Sequence, residues 1–161
     1  MGKIVTRLFV LLCVVLFAQL PLFVEQYMLR LEGHRAESRR QIEAFSEAAS
    51  AGGKTLDQYI AKFLAQKDTD FAAQGQVMKQ AVVRNQFLES ASEALAAANP
   101  LMRPVVFVRY VDTQVLADAW ESFSPGFLLT LNFGVWAGIG FVMGCLLLLA
   151  LRGVWNWLLK R

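Results

Sequence analysis

"LFVLLCVVLFAQLPLFV", residues 8–24, is an uncharged run in which Gln19 is the one clearly polar side chain. About 17–25 consecutive apolar residues in a helix are needed to cross the hydrocarbon core of a bilayer. A second uncharged run occupies residues 127–151, and hydrophobic residues make up 56% of the whole 161-residue chain. The sequence therefore predicts two transmembrane helices, at residues 8–24 and 126–151.

A cleavable signal peptide also begins with basic residues and an apolar run, as residues 1–18 do here. Cleavage after Ala18 would require a small residue two positions earlier, where Leu16 stands. We therefore interpret the run as a retained anchor. Pro21 has no N–H to donate within a helix, so we expect a hinge at Gln19 and Pro21.

Charge orients the two predicted spans. Residues 1–7 and 152–161 contain five Lys and Arg and no acidic residue, whereas the other 11 Lys and Arg and all 13 Asp and Glu lie between them. Basic residues favour the cytoplasmic side of a membrane. We therefore expect the tails at residues 1–7 and 152–161 in the cytoplasm and residues 25–125 outside it.

The segment between the spans has the period of helices. Apolar side chains recur every three or four residues in three stretches, at residues 25–51, 56–66 and 71–98. The first and third are long enough to form an antiparallel hairpin, with the short second helix at its far end. Gly52 and Gly53 favour a helix end, and Thr55 with Gln58 forms a capping-box pattern.

Residues 101–123 mix aromatic, apolar and charged side chains and include the β-branched stretch "VVFVRYV". Helical patterns flank this stretch, so we expect helix there, lying at the outer membrane interface. The fold class predicted from these features is an all-α membrane protein with two transmembrane helices flanking a helical extracytoplasmic hairpin domain.

His34 is the only histidine, and Glu37 lies three residues later on the same helical face. A metal site needs three or four ligands, so we expect no metal and no cofactor. A metal site shared between subunits and a pH-sensing role for His34 stay open as alternatives. We interpret Gly33, His34 and Glu37 as a packed polar cluster, in which Gly33 permits a close helix approach and His34 bonds Glu37 or a nearby carbonyl.

The second span contains two G-x-x-x-G pairs, formed by Gly134, Gly138, Gly140 and Gly144. Small residues at this spacing let helices approach closely in lipid. The partner could be the first span, a second copy of the chain or another membrane protein. Cys13 and Cys145 fall at similar depths of the two spans, and we expect packed thiols there rather than a disulfide.

Four arginines follow the first span, namely Arg30, Arg35, Arg39 and Arg40. They are possible contacts for lipid headgroups. Glu43 lies four residues after Arg39, which favours the alternative of a solvated helix face.

No motif of a hydrolase, nucleotide-binding enzyme or zinc protease occurs in the chain. The slightly acidic loop disfavours nucleic-acid binding, and the spans lack the ionisable groups of a proton relay. We expect a non-enzymatic assembly or accessory protein whose partners are membrane lipids and either a second copy or another membrane protein. The alternatives are a subunit of an oligomeric channel or lipid-handling conduit, and an enzyme that uses His34 and Glu37.

The stretch "LPLFVEQYMLRLEGHRAE" at residues 20–37 carries a pattern of one proline, two aromatic residues, Arg-Leu, Gly-His and Glu. It resembles the N-terminal motif of a bacterial family of small two-span membrane proteins known as a domain of unknown function. The residues in question are Pro21, Phe23, Tyr27, Arg30, Leu31, Gly33, His34 and Glu37. The resemblance implies a bacterial inner-membrane protein with a periplasmic loop, and it implies no activity.

Overall fold

The computed structural model describes residues 3–126 and 131–159, with side chains described for residues 4–126 and 131–150. These residues form six helices, α1 (Lys3–Ala51), α2 (Leu56–Leu64), α3 (Thr69–Ala97), α4 (Arg103–Arg109), α5 (Thr113–Glu121) and α6 (Leu131–Leu159). No strand occurs within the described ranges, so the prediction of an all-α chain is confirmed.

The chain divides into two compact units. The first unit comprises Met1–Gln26, Ala98–Arg109 and Ala119–Arg161, and the second comprises Tyr27–Ala97 and Tyr110–Asp118. Helix α1 contributes residues to both units.

Helix α1 runs without interruption through Pro21. The predicted anchor at residues 8–24 and the predicted helix at 25–51 are therefore parts of one helix. A proline within a helix removes one backbone donor, and the hydrogen bonds on either side persist. The hinge at Gln19 and Pro21 stays a prediction.

Within the described residues, α1 and α6 are the two helices long and apolar enough to cross a membrane. Residues 127–130, the start of the second predicted span, lie outside the described residues, as do residues 1, 2, 160 and 161 of the predicted tails. Helix α6 continues through residues 152–159, so the described part of the C-terminal tail is helical rather than separate from the span.

In the second unit the helix ends follow local signals in the sequence. Gly53 adopts a φ of +65°, which glycine adopts easily, just after α1 ends. The Oγ1 of Thr55 accepts a hydrogen bond from the Gln58 N–H, and the Gln58 side chain accepts one from the Thr55 N–H. The predicted capping box is therefore confirmed.

The core of the second unit contains apolar side chains from several helices, with α1 and α3 contributing most. Buried members are Tyr27, Leu31, Ala49, Ile60, Met78, Leu88, Ala91, Leu95 and Val115. Ser92 on α3 donates a hydrogen bond to Glu32 on α1. Gly75 on α3 is packed against α2, because a Cβ there would lie 2.9 Å from the Leu64 backbone nitrogen.

The segment at residues 101–123, where helix was expected, forms two short helices, α4 and α5. The stretch "VVFVRYV" is helical up to Arg109, as predicted. The break comes at Asp112, whose Oδ1 accepts hydrogen bonds from the N–H groups of Gln114 and Val115. Asp112 is therefore the N-cap of α5, because its carboxylate satisfies donors that the first turn leaves free.

Candidate functional site

The side chain of His34 is paired with a residue far away in sequence. In the second unit, His34 Nε2 lies 2.7 Å from Asp118 Oδ2 on α5. The predicted pairing of His34 with Glu37 or a nearby carbonyl is wrong, and Glu37 instead lies 3.5 Å from Arg40 Nη1. Asp118 was missed because a contact across 84 residues leaves no periodic signal in a sequence.

The surroundings of His34 are open to solvent. The His34 and Asp118 side chains are 29% and 52% exposed, and they border a depression of about 330 Å³ that Arg30, Gly33 and Glu37 also line. A Cβ on Gly33 would meet no atom within 4 Å. The close helix approach predicted at Gly33 is therefore absent from the described contacts.

No group of three or more His, Cys, Asp or Glu in the described part of the chain could hold a metal ion. The arrangement of His34 and Asp118 supplies two potential ligands, fewer than the three or four that a zinc site requires.

The arginines after the first span make ion pairs along α1. Arg35 lies 2.9 Å from Glu32, and Arg39 lies 3.0 Å from Glu43. The Arg39 and Arg40 side chains are largely exposed. These contacts fit a solvated helix face, and contact of the four arginines with lipid headgroups stays a prediction.

Tyr27 is completely buried in the core of the second unit, where its hydroxyl is hydrogen-bonded to two backbone groups. Its Oη donates to the Tyr110 carbonyl at 3.4 Å and accepts from the Asp112 N–H at 2.9 Å. Burial raises the pKa of the Tyr27 phenol above its ordinary value of 10.0; the Asp112 backbone hydrogen bond opposes this rise, and the Asp112 charge adds to it.

Asp112 carries a second cross-link in the second unit. Arg84 Nη2 on α3 lies 3.5 Å from Asp112 Oδ1. The Asp112 carboxylate thus caps α5 and pairs with Arg84 on α3. The backbone N–H of Asp112 donates a hydrogen bond to the Tyr27 hydroxyl. The only sequence signal for this centre is an aspartate just before a helical pattern.

The two glycine pairs of α6 have different surroundings within the first unit. A Cβ on Gly140 would lie 2.8 Å from the Cys13 carbonyl oxygen and 3.1 Å from the Val14 Cα. One on Gly144 would lie 3.1 Å from the Cys13 Cβ. Helix α6 therefore packs against α1 through the second pair, where only glycine leaves room for the backbone.

The first pair is open. Among the described residues, no atom lies within 4 Å of where a Cβ on Gly134 or Gly138 would be. At about 100° per residue, Phe141 and Cys145 fall on the same stripe of α6. We call these four residues the open glycine face. Phe141 is 55% exposed, and Cys13 and Cys145 are both free thiols.

Gln19 contacts the segment that precedes α6. Its Nε2 donates to the Gly126 carbonyl and its Oε1 accepts from the Gly126 N–H, both at 3.2 Å. The amide of Gln26 makes the same pair of contacts with Ser124. The amide of Gln19, one of the two residues of the predicted hinge, is thus bonded to the backbone of Gly126.

An aromatic cluster lies beside Gln19 in the first unit. The Phe23 ring packs edge-on against Phe107 and Trp120 with centroids 6.0 Å away, and against Phe123 at 5.3 Å. These rings border a cavity of about 590 Å³, which we call the aromatic cavity. Its remaining lining residues are Val15, Leu16, Gln19, Leu20, Pro125 and Gly126.

Comparison with known proteins gives one match. The model of the family described as "Protein of unknown function (DUF2937)" matches residues 1–161. No curated protein and no solved structure gives a significant match.

Proposed function

The chain belongs to the DUF2937 family, and we propose that it is a non-enzymatic bacterial inner-membrane protein that crosses the membrane twice and self-associates through α6. The proposal has two steps, membrane insertion and self-association, and each has its own support and test.

Membrane insertion is supported by how little of the two long apolar helices is covered. Only 22% of the most apolar window in α1 and in α6 is buried. The core helix of a water-soluble protein is mostly buried, since exposed apolar surface is costly in water. A bilayer would cover these faces. The excess of Lys and Arg at the chain ends supports cytoplasmic termini and a periplasmic loop.

Insertion is tested by fractionating cells that produce the full chain. We expect the protein to stay in the membrane pellet after extraction at alkaline pH and to enter solution only with detergent. Release by alkali or high salt alone would contradict insertion.

Self-association is supported by one observation: a Cβ added at either glycine of the open glycine face would have no described atom within 4 Å, whereas the second glycine pair is packed against α1. Helices associate in lipid mainly through close packing, and G-x-x-x-G spacing allows it. A second copy presents the same face, so a two-fold symmetric contact would bury Gly134 and Gly138 of both copies at once.

Two differently tagged full chains, co-expressed and solubilised in mild detergent, test this step. We expect one tag to recover the other, and Gly134→Leu or Gly138→Leu to abolish recovery. Ile139→Ala alters an exposed side chain on another side of α6 and should leave recovery unchanged. Recovery that survives both leucine substitutions would contradict the proposal. Recovery of a different membrane protein in place of the second copy would favour the accessory role with another partner.

A further inference from the structure

The aromatic cavity has the size and lining of a ligand site. Its volume of about 590 Å³ lies within the roughly 300–1,000 Å³ typical of small-molecule pockets. The one amide in its wall belongs to Gln19, and the polar atoms of that amide already bond the Gly126 backbone. The surface offered to an occupant is therefore apolar, with Phe23 and Trp120 among its rings.

Arg103 lies one helical turn before a residue that lines this cavity. It begins α4, and Phe107, which lines the cavity, is one turn later on the same face of that helix. The Nε of Arg103 is shielded from solvent and has no hydrogen-bond partner among the residues that the structure describes. A buried, unsatisfied donor on a cationic group is costly, so an anionic acceptor at this position would stabilise it.

The outer surface of α4 is apolar. Met102, Val105 and Val108 recur every three residues and are all exposed, as is the Trp120 side chain. Apolar and aromatic side chains with a nearby arginine are typical of helices that lie at a membrane interface. The cavity and Arg103 thus lie beside a surface suited to the boundary between acyl chains and headgroups.

We propose that the first unit binds one anionic phospholipid, with an acyl chain in the aromatic cavity and the headgroup phosphate at Arg103. The apolar lining of the cavity explains why an acyl chain would bind there. The Arg103 Nε, which has no partner among the described residues, explains why the headgroup would be anionic. A helix of another protein is about 10–12 Å wide with its side chains, which is too wide for a cavity of this volume. The inference rests on the membrane insertion proposed above and is independent of self-association.

The first test uses the wild-type full chain purified in mild detergent. Phosphatidylglycerol or phosphatidylcholine with the same acyl chains is added, and native mass spectrometry counts the lipid retained by each chain. We expect one phosphatidylglycerol per chain, and phosphatidylcholine retained about fivefold less, as expected for one arginine near an anionic headgroup. Equal retention of both lipids, or retention of neither, would overturn the proposal.

Three variants test the assignment of residues. Arg103→Gln should lower phosphatidylglycerol retention about fivefold and that of phosphatidylcholine less, because the choline cation offsets the charge of the phosphate at Arg103. Arg109→Gln removes an equal charge from another side of α4 and should behave as wild type. Leu16→Trp fills the aromatic cavity and should lower retention of both lipids.

The outcomes separate this inference from the function proposed above. Equal losses in the two arginine variants, or unchanged retention in Leu16→Trp, would overturn the site. Helical circular dichroism checks that each variant is folded, and Val15→Phe replaces Leu16→Trp if the latter fails. A protein that stays in alkali-extracted membranes but retains no lipid refutes this inference alone, whereas a protein released by alkali refutes membrane insertion.

Discussion

Helix α1 is held by different chemistry in the two units. In the first unit its backbone touches Gly140 of α6 so closely that no side chain would fit between them. In the second unit it is held by polar side chains, because Tyr27, Glu32 and His34 bond groups 60 to 85 residues away in the chain. The first kind of contact suits lipid, where close packing drives association, and the second suits a domain in water.

The two glycine pairs of α6 have the same spacing and different surroundings. Gly140 and Gly144 are packed against α1, whereas a Cβ added at Gly134 or Gly138 would have no described atom within 4 Å. Equal spacing therefore does not imply an equal role. Leucine substitutions at the two pairs should therefore have different effects. One at the second pair should disturb packing within one chain, and one at the first pair should disturb packing between two chains.

The largest effect is expected from Gly140→Leu. A leucine there must displace the backbone of Cys13 and Val14, and overpacking of this kind costs about 1–3 kcal/mol or more. We expect earlier thermal loss of helical circular dichroism, measured in detergent at a protein concentration low enough for dimers to dissociate. Gly134→Leu is the matched control and should leave that transition within about 0.5 kcal/mol of wild type. Equal losses in the two variants would remove the distinction between the pairs.

A smaller effect is expected from Tyr27→Phe in the second unit. The change leaves the Asp112 N–H and the Tyr110 carbonyl without their partner, at a cost of about 1–3 kcal/mol. Amide hydrogen exchange should speed up at residues 110–116. Tyr59→Phe removes a hydroxyl from another aromatic side chain and should leave that exchange unchanged. Unaltered exchange in Tyr27→Phe would show that the hydroxyl does not hold this turn.

Alkaline pH should weaken the second unit and spare the contact at Gly140. The folded unit keeps the Tyr27 phenol protonated because its pKa is raised above 10.0, whereas the unfolded chain ionises it near that value. The free energy of unfolding should therefore decline as the pH rises above 10.0. Tyr27→Phe should remove this component, which hydrogen exchange between pH 9 and 11 would detect as a flatter profile. If the free energy of unfolding of Tyr27→Phe declined equally with pH, the decline would be due to titratable groups other than Tyr27.

The smallest effect is expected at the exposed pair of His34 and Asp118. Such ion pairs contribute about 0.2–1 kcal/mol. A double-mutant cycle of His34→Ala and Asp118→Ala, measured by chemical denaturation, should give a coupling energy in that range. The cycle removes the contributions of other Asp118 contacts from the result. A coupling above about 2 kcal/mol would make this pair a structural centre comparable with Tyr27.

Local patterns predicted the helices well. The Thr55 capping box and the glycines after Ala51 depend on neighbouring residues, so the sequence alone was sufficient to locate them. The break before α5 was missed because Asp112 lies in a mixed segment and acts as a cap only once the chain turns there.

Contacts between distant segments could not be predicted in this way. The partner of His34, Asp118, is 84 residues away. Nothing in the sequence favours Asp118 over Glu37, the acidic residue three positions from His34. A close approach of helices was expected at Gly33 and at the glycines of α6. It is absent from the described contacts of Gly33, it occurs at Gly140, and it also occurs at Gly75, where none was expected. Glycine spacing shows where an approach is possible, and the facing helix determines where it happens.

Disulfide cross-linking through Cys145 in native membranes tests the central claim, self-association through the open glycine face, most directly. In a Cys13→Ser background, an added oxidant should produce a covalent dimer, because a two-fold contact at this face would bring the two Cys145 side chains together. Gly138→Leu should abolish the dimer, and Ile139→Cys in a chain lacking both natural cysteines should give none. A dimer of equal yield from positions 139 and 145, or none from position 145, would contradict the account.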